Sequence, residues 1–159
     1  MPTMEQLTID DLDLDFDNPR ARGPEIEAVI PHRDLMRQLD AVVWWNDDHT
    51  RSVGIRDIKA DEFWVSGHIP GRPLFPGVLM IESAAQLSSF TQMLERKDVP
   101  FLGFTRCDDC VFRGSLVPGD RMILVAQLLS SNRRRFVSRV NGFCNDKRIL
   151  EVTITGMVM

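Results

Sequence analysis

The segment from Gly77 to Lys97 constrains the fold more than any other part of the chain. It contains no internal Gly or Pro, and Pro76-Gly77 marks its start, which predicts one helix roughly 30 Å long. A surface helix needs a polar face, and this segment has almost none before Glu95. Its middle is rich in small residues, namely Ser83, Ala84, Ala85, Ser88 and Ser89. We therefore expect an interior helix that other backbone approaches closely.

The segments on either side of this helix are typical of antiparallel strands. Apolar alternation and turn residues predict an opening pair, 39–45 and 50–58, joined by a turn at Asn46-Asp47-Asp48. Residues 61–76 read as a loop, and four more strands follow the helix, at 101–113, 121–131, 134–144 and 148–158. One long helix with an antiparallel run predicts an α+β architecture.

Size and composition indicate a single globular domain with an extension. The chain has 159 residues, of which 43% are hydrophobic and 26% charged. No apolar stretch reaches the roughly 20 residues of a membrane span, and no secretory signal is visible. The three cysteines are too few for a disulfide framework, so we expect a cytoplasmic protein.

Charge separates the extension from the body. Residues 1–27 hold eight acidic and two basic side chains, which leaves 15 acidic and 17 basic in the remainder. We predict an acidic N-terminal extension over 1–28, mobile or loosely docked, and a folded domain over 29–159. The weak positive balance of the body does not favour nucleic acid but would not repel an acidic protein partner.

Residues 67–86 carry the chemistry. His68 lies in a loop fixed by Gly67, Pro70 and Gly71, and Glu82 lies two turns inside the apolar helix. A histidine on a rigid loop and a carboxylate among apolar neighbours suit an acid–base pair working near neutral pH. Each residue alone would more often have a structural role, and only their combination around the Pro76-Gly77 helix start makes the two interpretations equal.

Gly77 adds a third element because it begins the helix. The first N–H groups of a helix lack partners within it, and the positive end of the helix dipole points the same way. A thioester carbonyl placed there would have its developing negative charge stabilised.

The whole segment resembles the signature of the (3R)-hydroxyacyl-[acyl-carrier-protein] dehydratases of type II fatty-acid synthesis, the Z-type enzymes. That signature carries G-H-F-P-G, P-G-V and I-E-A-M-A-Q in this order and spacing. The resemblance spans about 29–158 and extends to Ile30-Pro31-His32-Arg33 with Asp40, Phe112-Arg113 and Pro118-Gly119-Asp120. Two departures, Ile69 for Phe and Ser83-Ala84 for Ala-Met, lie beside the site.

The resemblance implies a hot-dog fold, in which an antiparallel β-sheet wraps around one long central helix. It also implies a homodimer with active sites at the subunit interface, often assembled further as a hexamer, a trimer of dimers. The substrate would arrive on the phosphopantetheine arm of acyl carrier protein, and no cofactor or metal would be needed. His68 and Glu82 match the family's catalytic pair and Gly77 its backbone donor to the carbonyl.

Several side chains receive secondary roles. Gln86 lies one turn after Glu82 on the same helix face and could orient that carboxylate. An acyl tunnel would be lined by aromatic and aliphatic side chains, and carrier docking would use a basic cluster. These residues are Phe75, Leu79, Phe104 and Phe112 for the tunnel, and Arg133, Arg134 and Arg135 for docking. His32 is interpreted as a packing residue.

Alternatives remain. A bifunctional dehydratase/isomerase would carry Asp at the acid position, so Glu82 favours the simple dehydratase. Another thioester enzyme of the same fold, a thioesterase or a coenzyme A-thioester hydratase, stays open, as does a non-catalytic acyl-binding protein. Cys107 and Cys110 resemble half of a zinc site, but no second pair follows at ligand spacing. Since residues three apart on a strand point to opposite faces, we expect structural cysteines.

Overall fold

The computed structural model describes residues 9–159, which form two α-helices, one short 3-10 helix and six strands. In chain order these are α1 (Gly23–Glu27), the 3-10 helix (Asp34–Met36), β1 (Ala41–Trp45), β2 (Arg51–Asp57), α2 (Gly77–Met93), β3 (Leu102–Phe112), β4 (Arg121–Ser131), β5 (Arg135–Cys144) and β6 (Lys147–Val158). Within that range no helix is long and apolar enough to cross a membrane. The long helix ends at Met93 instead of Lys97, since a tighter bond from Arg96 N–H to Met93 O replaces the helical pattern.

The six strands form one antiparallel sheet in the order β1-β2-β4-β5-β6-β3. The sheet wraps around α2, which contacts β2 and every strand from β3 to β6. The predicted plan, one long helix within an antiparallel sheet, is confirmed. β1 and β3 are left as the two edges.

Small residues allow the close contact between α2 and the sheet. Ser83 and Ala84 are fully buried, and the Ser83 hydroxyl donates to Leu79 O at 2.8 Å, which satisfies it within the helix. On the sheet side, a Cβ added at Gly54 would lie 2.9 Å from Leu39 and 3.0 Å from Leu87. Any larger residue at Gly54 would therefore have to displace the Leu39 and Leu87 side chains.

The part of the acidic extension that the structure describes lies on the outer face of the sheet. Successive β1 residues point to opposite faces, so Val42 joins the main core while Ala41 and Val43 form part of a second, outer cluster. The Arg20 guanidinium donates to Trp45 O at 2.7 Å beside this cluster. The outer cluster comprises Ala41, Val43, Val53, Ile55 and Val125, and the extension packs Ile9, Leu12, Leu14 and Phe16 against it. Residues 1–8 of the predicted mobile extension lie outside the described range.

A bulge in β3 changes the geometry of the cysteine pair. The pairing register of β3 with β6 shifts between Asp108 and Val111, and Asp109 adopts a positive φ of 47°. The expectation that Cys107 and Cys110 point to opposite faces is wrong, because the extra residue brings their thiols into contact. Burial raises the pKa of the Cys110 thiol, and the neighbouring Cys107 thiol raises it further.

Candidate active site

His68 lies on the loop between β2 and α2, where its backbone and its ring each contact one backbone carbonyl. Its backbone N–H donates to Trp64 O at 2.9 Å, and its ring Nδ1 lies 2.8 Å from Leu74 O. A carbonyl oxygen can only accept, so Nδ1 carries the proton of this hydrogen bond. In the neutral imidazole the lone pair is then on Nε2, which is the tautomer that a base requires.

The His68 side chain borders an apolar pocket of about 420 Å³ at the start of α2. His68 is the one titratable group among its lining residues. The lining residues are Phe63, Trp64, Gly67, His68, Pro76, Val78 and Leu79. Leu79 was predicted to line an acyl tunnel and lies here. Such a surface suits an aliphatic chain, because only the imidazole interrupts it with a polar group.

A buried ion pair anchors the loop that carries His68. The Arg56 side chain is buried and pairs with Glu62, whose carboxylate also accepts a hydrogen bond from Trp64 Nε1 at 2.9 Å. Burial raises the pKa of Glu62, but hydrogen bonds from Arg56, from Lys59 N–H and from Trp64 outweigh it and hold the pKa below its ordinary value. The loop is therefore attached to β2 through an ionised carboxylate.

Glu82 lies on α2 with two side chains close to one of its carboxylate oxygens. Its Oε1 accepts a hydrogen bond from Gln86 Nε2 at 2.7 Å, and His32 Nε2 lies 3.3 Å from the same atom. The Glu82 side chain is 20% exposed, so the carboxylate is near the surface and not enclosed. Val78, which lines the His68 pocket, lies one turn earlier on the same helix face and is 71% exposed.

The orientation of the Gln86 amide is fixed by groups that cannot reverse their roles. Its Oε1 accepts from the backbone N–H of Gln38 at 2.8 Å, and its Nε2 donates to Met36 O at 2.6 Å. An N–H can only donate and a carbonyl can only accept, so the NH₂ group must face Glu82. Gln86 is fully buried, which makes this the single arrangement that satisfies the amide.

Gly77 begins α2 directly beneath an aromatic ring of β3. A Cβ added at Gly77 would lie 2.9 Å from the Phe112 ring, so this position cannot hold a larger residue without moving the ring. Phe112 and Phe104 are about half exposed on β3, whereas Phe75 is buried. The Phe75 ring packs edge-to-face on Trp64, with their centroids 5.4 Å apart, in the core beneath the pocket.

Other predicted site residues are not brought together within one chain. No hydrogen bond or ion pair among residues 9–159 joins His68 to Glu82, and Glu82 is not among the residues that line the His68 pocket. Arg133, Arg134 and Arg135 are exposed on the β4–β5 hairpin, which Arg96 binds through Arg133 O at 3.2 Å. This hairpin lies beyond the C-terminal end of α2, about 25 Å along the helix from Gly77.

Comparison with known proteins identifies the family. Residues 30–153 match the model of the FabA-like domain. The chain is 37% identical over 119 residues to 3-hydroxyacyl-[acyl-carrier-protein] dehydratase FabZ of Alkaliphilus metalliredigens (strain QYMF), covering 74% of this chain and 79% of that protein. The chain belongs to the FabA-like family. The resemblance to the Z-type dehydratases, seen in residues 29–158, is thereby confirmed.

Solved structures place this FabA-like chain among hot-dog folds, as predicted. The dehydratase heterocomplex ApeI:P from Xenorhabdus doucetiae has a TM-score of 0.73 at 15% identity, with 84% of this chain and 90% of that chain covered. Zebra fish thioesterase superfamily member 2 has a TM-score of 0.63 at 13% identity, with 84% and 93% covered. At these identities the similarity concerns the fold, which dehydratases and thioesterases share.

The sequence interpretation missed part of the site of this FabA-like protein. His32 was assigned to packing, yet its ring contacts the Glu82 carboxylate. Gln38 and Arg56 were not singled out, although they connect Gln86 to the His68 loop through Arg56 Nε, which donates to Gln38 Oε1 at 3.1 Å. These contacts join distant segments, and no local pattern signals them. The one available signal for His32 was its place in the Pro31-His32-Arg33 turn that the family shares.

Proposed function

We propose that this chain dehydrates (3R)-hydroxyacyl-[acyl-carrier-protein] to the trans-2-enoyl thioester in type II fatty-acid synthesis. Membership of the FabA-like family and the similarity to a named dehydratase support this activity. The observation that carries it is the hydrogen bond from His68 Nδ1 to Leu74 O, because it leaves the basic Nε2 free beside an apolar pocket. Such a hydro-lyase needs a base, an acid and a carbonyl donor, and family membership implies no cofactor.

The proposed mechanism is an acid–base elimination. His68 Nε2 removes the proton on C2 of the thioester, while the N–H at Gly77 donates to the thioester oxygen as negative charge develops there. Glu82 gives a proton to the hydroxyl on C3, which leaves as water as the C2–C3 double bond forms. His68 ends protonated and Glu82 ionised, and one proton returned between them through solvent resets the site.

We further propose that each active site combines His68 of one chain with Glu82 of a second. The absence of a contact between them within the described part of one chain supports this arrangement. The sheet edge β3 is long and carries exposed apolar residues at Phe104, Val111 and Phe112, which favours pairing with a second copy. A homodimer would bury this edge. A hexamer would be a further assembly of three such dimers.

Docking of acyl carrier protein is proposed at Arg133, Arg134 and Arg135, whose exposed positive charge would attract an acidic partner. Replacing all three by Ala should raise KM for carrier-bound substrate about tenfold and leave turnover of a short carrier-free thioester unchanged. Lys147→Ala, at the start of β6 and away from the β4–β5 hairpin, is the control. Equal losses with both substrates, or none, would place docking elsewhere. A carrier-bound substrate and the lack of a disulfide framework favour the cytosol.

The deciding assay follows enoyl-thioester absorbance from purified protein and carrier-bound 3-hydroxyacyl substrate. We expect dehydration that falls about 10²- to 10⁴-fold in His68→Ala and in Glu82→Gln. His49→Ala should keep wild-type turnover, since His49 contacts Glu95 away from the site. Release of free thiol without enoyl product would identify a thioesterase, and binding without turnover would identify an acyl-binding protein.

A further inference from the structure

We propose that His32 is a positioning residue for Glu82, which together with Gln86 holds Oε1 so that Oε2 is the oxygen that protonates the leaving hydroxyl. The inference rests on the proposed dehydration. Gln86 Nε2 donates a hydrogen bond to Oε1 at 2.7 Å, and His32 Nε2 lies 3.3 Å from the same oxygen. Oε2 has no hydrogen-bond partner among residues 9–159 and is the atom left for substrate.

The position of His32 is itself fixed by the next residue along the chain. Arg33 Nη1 donates to Ile30 O and to His32 O, each at 2.8 Å, and Arg33 Nη2 donates to Glu27 O at 2.8 Å. Three carbonyls that precede the 3-10 helix therefore share one guanidinium. These bonds restrain the backbone of the turn that carries His32.

The two ring nitrogens of His32 have different surroundings. Nδ1 is buried and has no partner in the described chain, while Nε2 faces the carboxylate. A proton on Nδ1 would be a buried donor without an acceptor, which is costly. A ring with its proton on Nε2 fits this environment and places that N–H 3.3 Å from Oε1, a longer contact than the hydrogen bond from Gln86. The contact from His32 and the hydrogen bond from Gln86 thus reach the same oxygen of Glu82.

The buried network beneath supports the same arrangement. Gln86 is oriented by Gln38 N–H, and Gln38 Oε1 accepts from Arg56 Nη2 at 2.8 Å. The His32 side chain forms no hydrogen bond within this network. Its contribution is therefore separable by mutation, whereas a change at Gln86 would also release Met36 O and Gln38 N–H.

The test compares three His32 variants by turnover of carrier-bound 3-hydroxyacyl substrate. His32→Gln keeps a donor at the distance of Nε2, whereas His32→Asn and His32→Ala do not. We expect kcat to fall about tenfold or more in the Ala and Asn variants, with KM within about twofold, and to recover in the Gln variant. A packing role alone would predict no such difference between Gln and Asn.

A double-mutant cycle tests whether His32 acts through Glu82. In the Glu82→Gln background, His32→Ala should lower the residual rate by less than about twofold, since the group that it positions is gone. Wild-type kcat in the single Ala variant, or an undiminished further loss in the double variant, would overturn the proposal. Thermal unfolding of each variant identifies any loss of activity that is caused by misfolding. If the Ala variant misfolds, the comparison of His32→Gln with His32→Asn decides the test.

A second readout does not depend on catalysis. Nitrogen-15 spectra of the histidine side chains should show His32 protonated at Nε2, with this resonance shifted by Glu82→Gln. The pair His49 and Glu95, with Nδ1 and Oε1 2.9 Å apart, is the matched control, and Glu95→Gln should shift only His49. An unshifted His32 resonance would overturn the contact. If the wild-type protein fails to dehydrate but the shift is present, the dehydratase proposal alone fails.

Discussion

At the scale of single residues, neighbouring groups give two chemically identical histidine side chains different roles. His68 donates Nδ1–H to a carbonyl and keeps a free Nε2, whereas His32 points Nε2 at a carboxylate and leaves Nδ1 without a partner. The proposed base and the proposed positioning residue therefore differ in their neighbours and not in their side chains. Gly77 illustrates the same dependence, since only the Phe112 ring above it forbids a side chain there.

The contact between Gly77 and Phe112 leads to a prediction for Gly77→Ala. The added methyl group would lie 2.9 Å from the Phe112 ring and must displace either the ring or the helix start that presents the N–H. We expect kcat for dehydration to fall about tenfold or more, because a misplaced carbonyl donor stabilises less charge. The double variant Gly77→Ala with Phe112→Leu should recover part of the rate. A double variant no better than the single one would show that the contact is not the cause.

At the scale of elements, two attachments position the parts of the fold that carry function. The loop before α2 is held to β2 by Arg56 and Glu62, and the described part of the extension is held to the outer face of the sheet by apolar contacts. The first attachment is ionic and buried, so it depends on pH. The second is hydrophobic and depends on the area that it covers.

Glu62 leads to a prediction about stability and pH. Its pKa is lowered in the folded protein from 4.5, so its contribution is present above pH 4.5 and is lost as pH falls through the lowered value. Glu62→Gln should cost about 3 kcal/mol of unfolding free energy at pH 7, since it leaves the buried Arg56 with only the more distant Asp40 carboxylate, 3.5 Å away, as a charge partner. Urea unfolding at pH 7 and at lower pH measures both effects. The variant should lose less stability than the wild type on acidification; a parallel pH dependence would contradict the assignment.

The extension leads to a second prediction at this scale. Leu14 and Phe16 pack on the outer cluster, whereas Asp11 and Asp13 are exposed. Replacing both apolar residues by Ser should lower the unfolding free energy by about 2 kcal/mol, because half-buried apolar area is lost. Replacing both aspartates by Ser should change it by less than about 0.5 kcal/mol. Equal effects of the two pairs, measured by urea unfolding, would mean that the extension adds no hydrophobic stabilisation.

At the scale of the whole molecule, the proposed site is not assembled within one chain. The His68 pocket and Glu82 occupy separate positions around the start of α2, and the nearby edge strand β3 exposes apolar side chains. A second copy that pairs along β3 would cover these side chains and supply the missing group. Symmetry then gives two equivalent sites, each made from both chains.

Mixing two inactive variants tests the composite site. A dimer of His68→Ala with Glu82→Gln holds one site with both changes and one site with neither. After random exchange half of the dimers are of this mixed kind, so activity should recover to about a quarter of wild type. The control is the double variant His68→Ala/Glu82→Gln mixed with itself, which should stay inactive. No recovery despite proven exchange of subunits would mean that each site lies within one chain.

Local patterns in the sequence predicted most of the elements because strands, turns and helix starts follow from short-range sterics and hydrophobic periodicity. β4 was predicted with its observed ends, and the other strands differ by a few residues at their ends. The candidate pair His68 and Glu82 was also accessible, since both lie in one motif with fixed spacing. The end of α2 was predicted four residues too late, since the bond from Arg96 to Met93 that closes it is a feature of the folded chain.

The sequence by itself determined the helix that needs an interior position, the strands that surround it and the motif that bears the base and the acid. Only the tertiary structure decided which atoms those groups present. The contact of His32 with Glu82, the fixed amide of Gln86 and the bulge that joins Cys107 to Cys110 all depend on segments brought together by packing. Such contacts form only when the sheet wraps around α2. Residues that are distant along the chain have no local sequence pattern that predicts them.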